Sequence, residues 1–314
     1  MAQPSNLVQT TNRVGIREDL SDMIYNIAPS DTPFFTASGR SSASSTLHEW
    51  QTDTLRDSAV NAHVEGDDTV AESRQATVRL NNRTQIFKNA VSVSGTNQAV
   101  TSAGRAKEMA YQTRLVLMEH KLDIEKALLD NQAKVAGSSS TAARLAGAGA
   151  WITTNVNNVG AGGANPTGDG SDARTDGTAT ALTQTDFDTT MQEIWTEGGR
   201  AKVKTVYLNP SNMAVALGFV GNNNARAQTD SGQIENVMNL YVTPWGQVKW
   251  QMSTECRATD VFIMTDDMWS VAMLRPTKNE PLAKTGDSEK RQLVTELTLA
   301  CKNEKAHGLV ADCG

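Results

Sequence analysis

Few groupings of residues in this chain have the types and spacing that chemistry requires. His48-Glu49 opens the helical pattern in which two histidines one turn apart hold zinc, but Thr52 stands where the second histidine belongs. The residues around it alternate as a strand does, so the zinc reading fails. Asp169, Asp172 and Asp176 could offer oxygen ligands to calcium, yet the bidentate glutamate that closes such a loop is missing, and a solvated loop fits better. No GxxxxGK[ST] phosphate loop and no GxSxG nucleophile turn occurs. The pairs Gly147/Gly149 and Gly160/Gly162 lie in small-residue sequence, without the preceding strand and following helix that dinucleotide binding needs. The histidines His48, His63, His120 and His307 fall in different elements, and His120, beside Glu119 in mid-helix, reads as a partly exposed polar position. Cys256, Cys301 and Cys313 are odd in number and lack CxxC spacing, so neither a disulfide framework nor a zinc site is expected, and folding in a reducing cytosol is. Cys301 shares the alternating face of Leu293, Leu297 and Leu299 and reads as a core thiol. The sequence thus predicts no catalytic residue, no cofactor and no metal.

The elements that would position any site tell more. The 314 residues suffice for two domains, but aromatic residues make up only 5% and apolar residues 39%, which suits strands, turns and extended arms better than one dense core. A net charge of −6 argues against a dedicated nucleic-acid binder. No secretory signal and no run of 18 apolar residues is present, so a soluble product that stays where it is made is expected.

The most telling stretch is 102–134, read as one uninterrupted helix. It contains no proline, its only glycine is Gly104, and Ala106, Met109, Ala110, Leu117, Ile124 and Leu128 recur at helical spacing. At 1.5 Å per residue it would reach roughly 50 Å, more than a compact core needs. Before it, residues 1–43 read as an arm, with a short amphipathic helix from Ile16 to Ile27 and an extended segment Asp31-Thr32-Pro33-Phe34-Phe35 seeking a partner surface. Two alternating runs, Thr46–Thr54 and Ala76–Ile86, predict a long hairpin with a charged tip, followed by a bulge near Phe87 to Asn89 where the apolar parity flips. An isolated two-stranded ribbon is marginal in water, so this one must lie on something else.

After the helix, 137–184 is rich in Gly, Ala and Asn and reads as an exposed, flexible insertion pinned at its start by Trp151 and Ile152. From Thr185 the pattern is compact α/β. Thr185–Asp188 has capping-box spacing, Gly198-Gly199 closes a helix, and Val203–Leu208 is a buried strand. Asn209-Pro210 opens a helix through Leu217, Asn222-Asn223-Asn224 begins a loop, and Thr243–Gly246 turns between strands. Val261–Met264, Trp269–Leu274 and Arg291–Cys301 read as further strands, with a last short segment Lys305–Ala311.

This order of elements, and the wording of IREDLSDMIYNIAPSDTPF (16–34), HEWQTDTL (48–55), QIFKNAVSVSGTNQAV (85–100), AGRAKEMAYQ…DIEKALL (103–129) and LTLACKNEKAHGLV (297–310), resembles the major capsid proteins of tailed bacteriophages with the Hong Kong 97-type fold. The resemblance covers nearly the whole chain. It implies an α+β capsid fold: N-terminal arm (1–43), extended hairpin loop (44–95), peripheral domain with spine helix (96–136), the insertion (137–184), an axial domain (185–275) and returning peripheral strands (276–314). It also implies self-assembly as pentamers and hexamers into an icosahedral virion shell, formed in the host cytoplasm around double-stranded DNA that is not bound sequence-specifically. Scaffolding and portal proteins and a possible decoration protein are the further partners; no membrane is. The chain starts almost directly at the arm, so separate or removed scaffolding is expected. The family's lysine–asparagine cross-link is not, since Lys88 is the hairpin's only lysine and sits near its base.

Subunit contacts are expected from Phe34, Phe35 and Trp50 as apolar anchors and from Arg56, Arg79 and Arg83 as charged contacts. The alternatives are a cytosolic oligomeric enzyme built on 185–275 and another virion component, a tail-tube or decoration protein.

Overall fold

The computed structural model describes residues 32–56, 58–68, 74, 76–100, 107–197, 203–219, 227–228, 234–235 and 240–314. The expected helix at 16–27, Gly104, Gly198-Gly199 and Asn222-Asn223-Asn224 lie outside the described residues. In chain order the elements are α1 (Pro33–Ala37), β1 (Gly39–Ser42), β2 (Leu47–Thr52), β3 (Val78–Arg83), β4 (Gln85–Ser94), α2 (Gly95–Ala99) and α3 (Glu108–Leu129). There follow β5 (Val156–Asn158), α4 (Gln184–Thr196), β6 (Val203–Leu208), α5 (Pro210–Gly218), β7 (Ala227–Gln228), β8 (Ile234–Glu235) and β9 (Leu240–Thr243). The chain finishes with β10 (Gly246–Met252), β11 (Asp260–Met264), β12 (Trp269–Pro281), β13 (Ser288–Cys301) and β14 (Gly308–Ala311).

Two sheets carry the molecule. One has four strands in the order β1-β12-β13-β4; the other has six in the order β5-β14-β11-β6-β10-β9. Ribbons β2-β3 and β7-β8 stand apart from both. The inner strands β14 and β11 of the six-stranded sheet are buried on both faces, which is why β11 reads as a continuous apolar run. Its Val206, Leu208, Val248, Trp250, Val261, Ile263 and Val310 pack with Phe187, Met191 and Ile194 of α4. Its opposite parity, Tyr207, Phe262, Met264 and Leu309, shares a core with α3, the four-stranded sheet and the segment Leu145–Ile152.

Several sequence expectations change in the structure. The long helix spans Glu108–Leu129, not 102–134: Lys107 is extended before it, Asp130 turns extended after it, and residues 101–106 lie outside the described part. The described 22 residues of α3 reach about 33 Å. The polar run after it is used for tertiary anchoring instead of further helix. Asn131 donates its Nδ2 to Arg174 O (2.7 Å) and accepts from Arg174 N (2.8 Å), and Lys134 N donates to Gly170 O (2.8 Å).

Pro33 begins a short helix where an extended segment was expected. Its first free N–H groups are answered by Glu125, which accepts from Phe34 N (2.8 Å) and Phe35 N (2.7 Å). A carboxylate from α3 thus does what a local cap usually does, and no local pattern announces it. The capping box of α4 lies two residues upstream of its expected place, formed by Thr183 and Asp186. The parity flip falls at Thr84 rather than at 87–89. There the chain leaves the ribbon and joins β13, while β4 runs through Phe87–Asn89 without a bulge. His120 is fully buried, not partly exposed, and hydrogen-bonds to Asn89 Oδ1 (2.6 Å) and Thr295 Oγ1 (2.8 Å). Cys301 is buried as expected.

The insertion at 137–184 is not an exposed flexible loop. Leu145–Ile152 is wholly buried, and bridges pair Val135 with Arg144, Ala164 with Thr175 and Thr180 with Cys313. Small residues there serve close approach: a Cβ on Gly147 would lie 2.1 Å from Asp130 O. The tail is corrected as well. β12 and β13 belong to the four-stranded sheet, but β14 enters the six-stranded one between β5 and β11, so 276–314 is split between both.

The buried charges set two expectations. Replacing Glu125 with Ala orphans one buried and one part-buried N–H group and should cost about 3 kcal/mol in a denaturant melt, with Glu125→Gln recovering part. His307 is stacked 4.6 Å from Trp269 and accepts from Thr265 N at 3.3 Å. Burial, aided by the nearby Lys204, pushes its pKa down to about 3, against roughly 6.5 when unfolded. Because the folded pKa is depressed, the stabilisation is present above pH ~6.5 and lost as pH falls towards ~3, by about 1.4 kcal/mol per pH unit. Urea melts between pH 7 and 4 should show this slope, and His307→Asn should flatten it.

Candidate assembly interface

The described residues offer no group of three or more His, Cys, Asp or Glu able to hold a metal, and no helix among them is long and apolar enough to cross a membrane. A cavity of about 260 Å³ between α1 and β6 contains Asp266. Its two oxygens already accept from Thr205 Oγ1 (2.7 Å) and Tyr207 Oη (2.9 Å), so it serves as a structural acceptor. What the chain does expose is ribbon.

Among the described residues, the hairpin β2-β3 is packed on the body near its base. Trp50 stacks at a tilt on buried Trp151, centroids 5.3 Å apart, and Leu80 packs on the same core. Beside them buried Asn82 behaves as a two-way clamp. Its Nδ2 donates to Leu299 O (2.6 Å) and Ala146 O (3.2 Å), while its Oδ1 accepts from Ala146 N (2.9 Å). Beyond Thr52 the described loop residues are all exposed, and Leu55, Val60 and Val64 are 88%, 95% and 81% open. Three large apolar side chains within ten residues, none of them packed on the body of the chain, make this loop the candidate for burial against another surface. A second projection is the outer end of β12-β13-β4, where Leu282 is exposed among Lys284, Asp287 and Glu289. On the far side of the six-stranded sheet, Val215 and Leu217 of α5 and Met252 of β10 are also open.

The six expected contact residues do not form one surface. Phe34 is wholly buried in its own chain, edge-on to Tyr207 (5.3 Å) and Trp269 (5.9 Å), and has nothing left to offer a neighbour. Phe35 is half-buried beneath the Arg40 guanidinium, 3.7 Å from its ring centre. Trp50 anchors the ribbon to its own body. Arg79 pairs with Glu49 across the ribbon, Arg83 is half-buried at the base, and Arg56 sits on the exposed loop. Sequence reasoning passed over Leu55, Val60 and Val64 because the stretch reads as charged. Their signal was apolar residues surviving in a polar loop that buries nothing.

The body that holds the ribbons depends on a buried charge cluster that no local pattern marks. Arg174 donates to Asp260 (2.9 Å), Asp312 (2.8 Å) and Asp176 (2.7 Å), and Arg257 bridges Asp260 (3.0 Å) and Asp176. Asp176, read from sequence as part of a solvated loop, is thereby a member of this cluster. Arg174 and Asp260 are wholly buried, where loss of one partner leaves uncompensated charge. Arg174→Met should therefore destabilise the chain by about 3–5 kcal/mol in equilibrium unfolding, far more than any of the exposed arginines.

Comparison with known proteins places these features in context. Residues 3–314 match the family described as SU10 major capsid protein. The major capsid protein of Escherichia phage Phieco32 is 29% identical over 347 residues, covering 99% of this chain and 97% of that one. The capsid asymmetric unit of cyanophage A-1(L) shares the fold at a TM-score of 0.63 and 13% identity, with 99% of each chain covered. A structure of Microbacterium phage Oxtober96 does so at 0.62 and 12%, covering 94% of this chain and 96% of that one.

Proposed function

The chain belongs to the SU10 major capsid protein family, and from that premise we propose how its exposed ribbons build a tailed-phage head. Its place in the virion and its self-association into a capsid follow from the family; the enzyme and the other virion components are not favoured. The β2-β3 ribbon and its loop lie over an adjacent subunit and bury Leu55, Val60 and Val64 there. The four-stranded sheet with α3 forms the peripheral domain, and the six-stranded sheet forms the axial domain that meets its copies in pentamers and hexamers. Arg56 and the outer edge of Arg83 set register through charge at the rim of that contact, where complementarity governs specificity more than affinity. Phe35 and Trp50 shape the base from which the ribbon departs. The shell encloses double-stranded DNA without reading its sequence, in keeping with a net charge of −6. Scaffolding and portal proteins, and a decoration protein where one is used, join the assembly in the host cytoplasm.

The observation that carries this reading is the near-complete exposure of three large apolar side chains on a ribbon with no core of its own. Full burial of each is worth about 1.5–3 kcal/mol, modest enough for a shell to correct misplaced subunits. The test is a triple substitution, Leu55→Ser, Val60→Ser and Val64→Ser. Stability of the free subunit should stay within about 0.5 kcal/mol per site, as for ordinary surface changes. Closed shells should disappear in sedimentation and negative-stain electron microscopy. Normal shells from the triple variant would refute the ribbon contact.

A further inference from the structure

Two buried oxygens without hydrogen-bond partners meet beside the Arg174 cluster. Asp312, 1% exposed, follows β14 with a φ of +62°. Its Oδ1 accepts from Arg174 Nη1 (2.8 Å) and Gly177 N (2.8 Å), whereas its buried Oδ2 has no partner. The other is Oδ1 of Asn158, at the end of β5. A relay fixes which way that amide faces: Asn158 Nδ2 donates to Asn165 Oδ1 (2.8 Å), and Asn165 Nδ2 donates to Thr153 O (3.2 Å). Because the Thr153 carbonyl can only accept, turning Asn158 over would break the relay. Asn158 therefore presents an acceptor on its free side.

Both oxygens converge on Gly163. A Cβ there would stand 2.5 Å from Asp312 Oδ2 and 3.4 Å from Asn158 Oδ1. A Cβ on Gly177 would stand 2.7 Å from Gly163 N, 2.8 Å from the same Asp312 atom and 2.9 Å from Ala161 O, so one backbone N–H borders the acceptors without hydrogen-bonding to Asp312 Oδ2. The Ala161 carbonyl accepts from Thr178 N at 2.9 Å and retains a second lone pair. The surrounding charges are Arg174 and Arg257 against Asp176, Asp260 and Asp312, leaving one negative charge in excess. Acceptors facing acceptors in a net-negative pocket are repulsive unless something positive lies between them.

We propose that Asp312 Oδ2, Asn158 Oδ1 and the Ala161 carbonyl bind a hard, oxygen-preferring cation of calcium or sodium size, with water completing its shell. One carboxylate, one amide and one carbonyl suit such ions, which take oxygen ligands in flexible numbers. Ala161 and Gly162 are exposed and give entry from solvent. The ion ties the 159–177 loop to the turn after β14 and reinforces the tether made by Arg174.

The test uses the full chain, freed of metal with a chelator and held in choline chloride at constant ionic strength. Calcium chloride and sodium chloride are titrated separately, with the thermal midpoint and isothermal titration calorimetry as readouts. At least one ion should raise the midpoint saturably and bind with measurable heat. Asn158→Leu, which leaves the Arg174 contact with Asp312 intact, should weaken binding at least about tenfold, the loss that even an outer-shell partner causes. Asp312→Asn should abolish it, but that change also disturbs Arg174, so Asn158→Leu carries the decision. Absence of a saturable response to both ions, or unchanged binding in Asn158→Leu, would overturn the site.

Discussion

The buried guanidinium of Arg174 is the constraint on which the rest of the fold depends. Its backbone is gripped by Asn131, just past the end of α3, and its side chain reaches Asp260 at the start of β11 and Asp312 after β14. One residue in a glycine-rich segment thus ties the helix of one sheet to two strands of the other. A charge out of water must be fully answered or it becomes a large liability. That demand fixes the conformation of a segment whose own composition would leave it free. With 159–177 pinned, the buried stretch Leu145–Ile152 can complete the shared core, and Trp151 then offers the surface on which Trp50 seats the ribbon.

Elements whose signals are local were legible in the sequence. Asn209-Pro210 opens α5 with an N-cap accepting from Ser211 N, and Thr243–Gly246 joins β9 to β10. The β6 strand announces itself by a short apolar run at 206–208 and β13 by alternation in its sequence, although β13 proves buried on both faces from Thr295 to Cys301. What escaped depends on partners far apart in the chain. Glu125 and Phe34 are 91 residues apart, Arg174 and Asp312 138. His120 looked exposed because nothing in its helix reveals Thr295, 175 positions away. The insertion was misread because glycine and alanine serve looseness and close packing equally well, and only the opposing surface decides between them.

The proposed interface was half legible for the same reason. Aromatic residues outside a periodic element signal a need for burial but not whose surface supplies it. Phe34 found its own chain's Tyr207 and Trp269. Leu55, Val60 and Val64, less conspicuous, found nothing. The division follows reach: residues beside a well-packed body are absorbed by it, whereas those on a ribbon anchored only at its root are not.

The position of β14 also governs timing during synthesis. The strand sits inside the six-stranded sheet, flanked by β5 and β11, so residues made some 150 positions apart must meet before that sheet closes. Loop-closure entropy makes such late, distant pairing slow compared with folding of the helices. A nascent chain therefore holds an open six-stranded sheet until its last strand, Gly308–Ala311, has been made and inserted between β5 and β11.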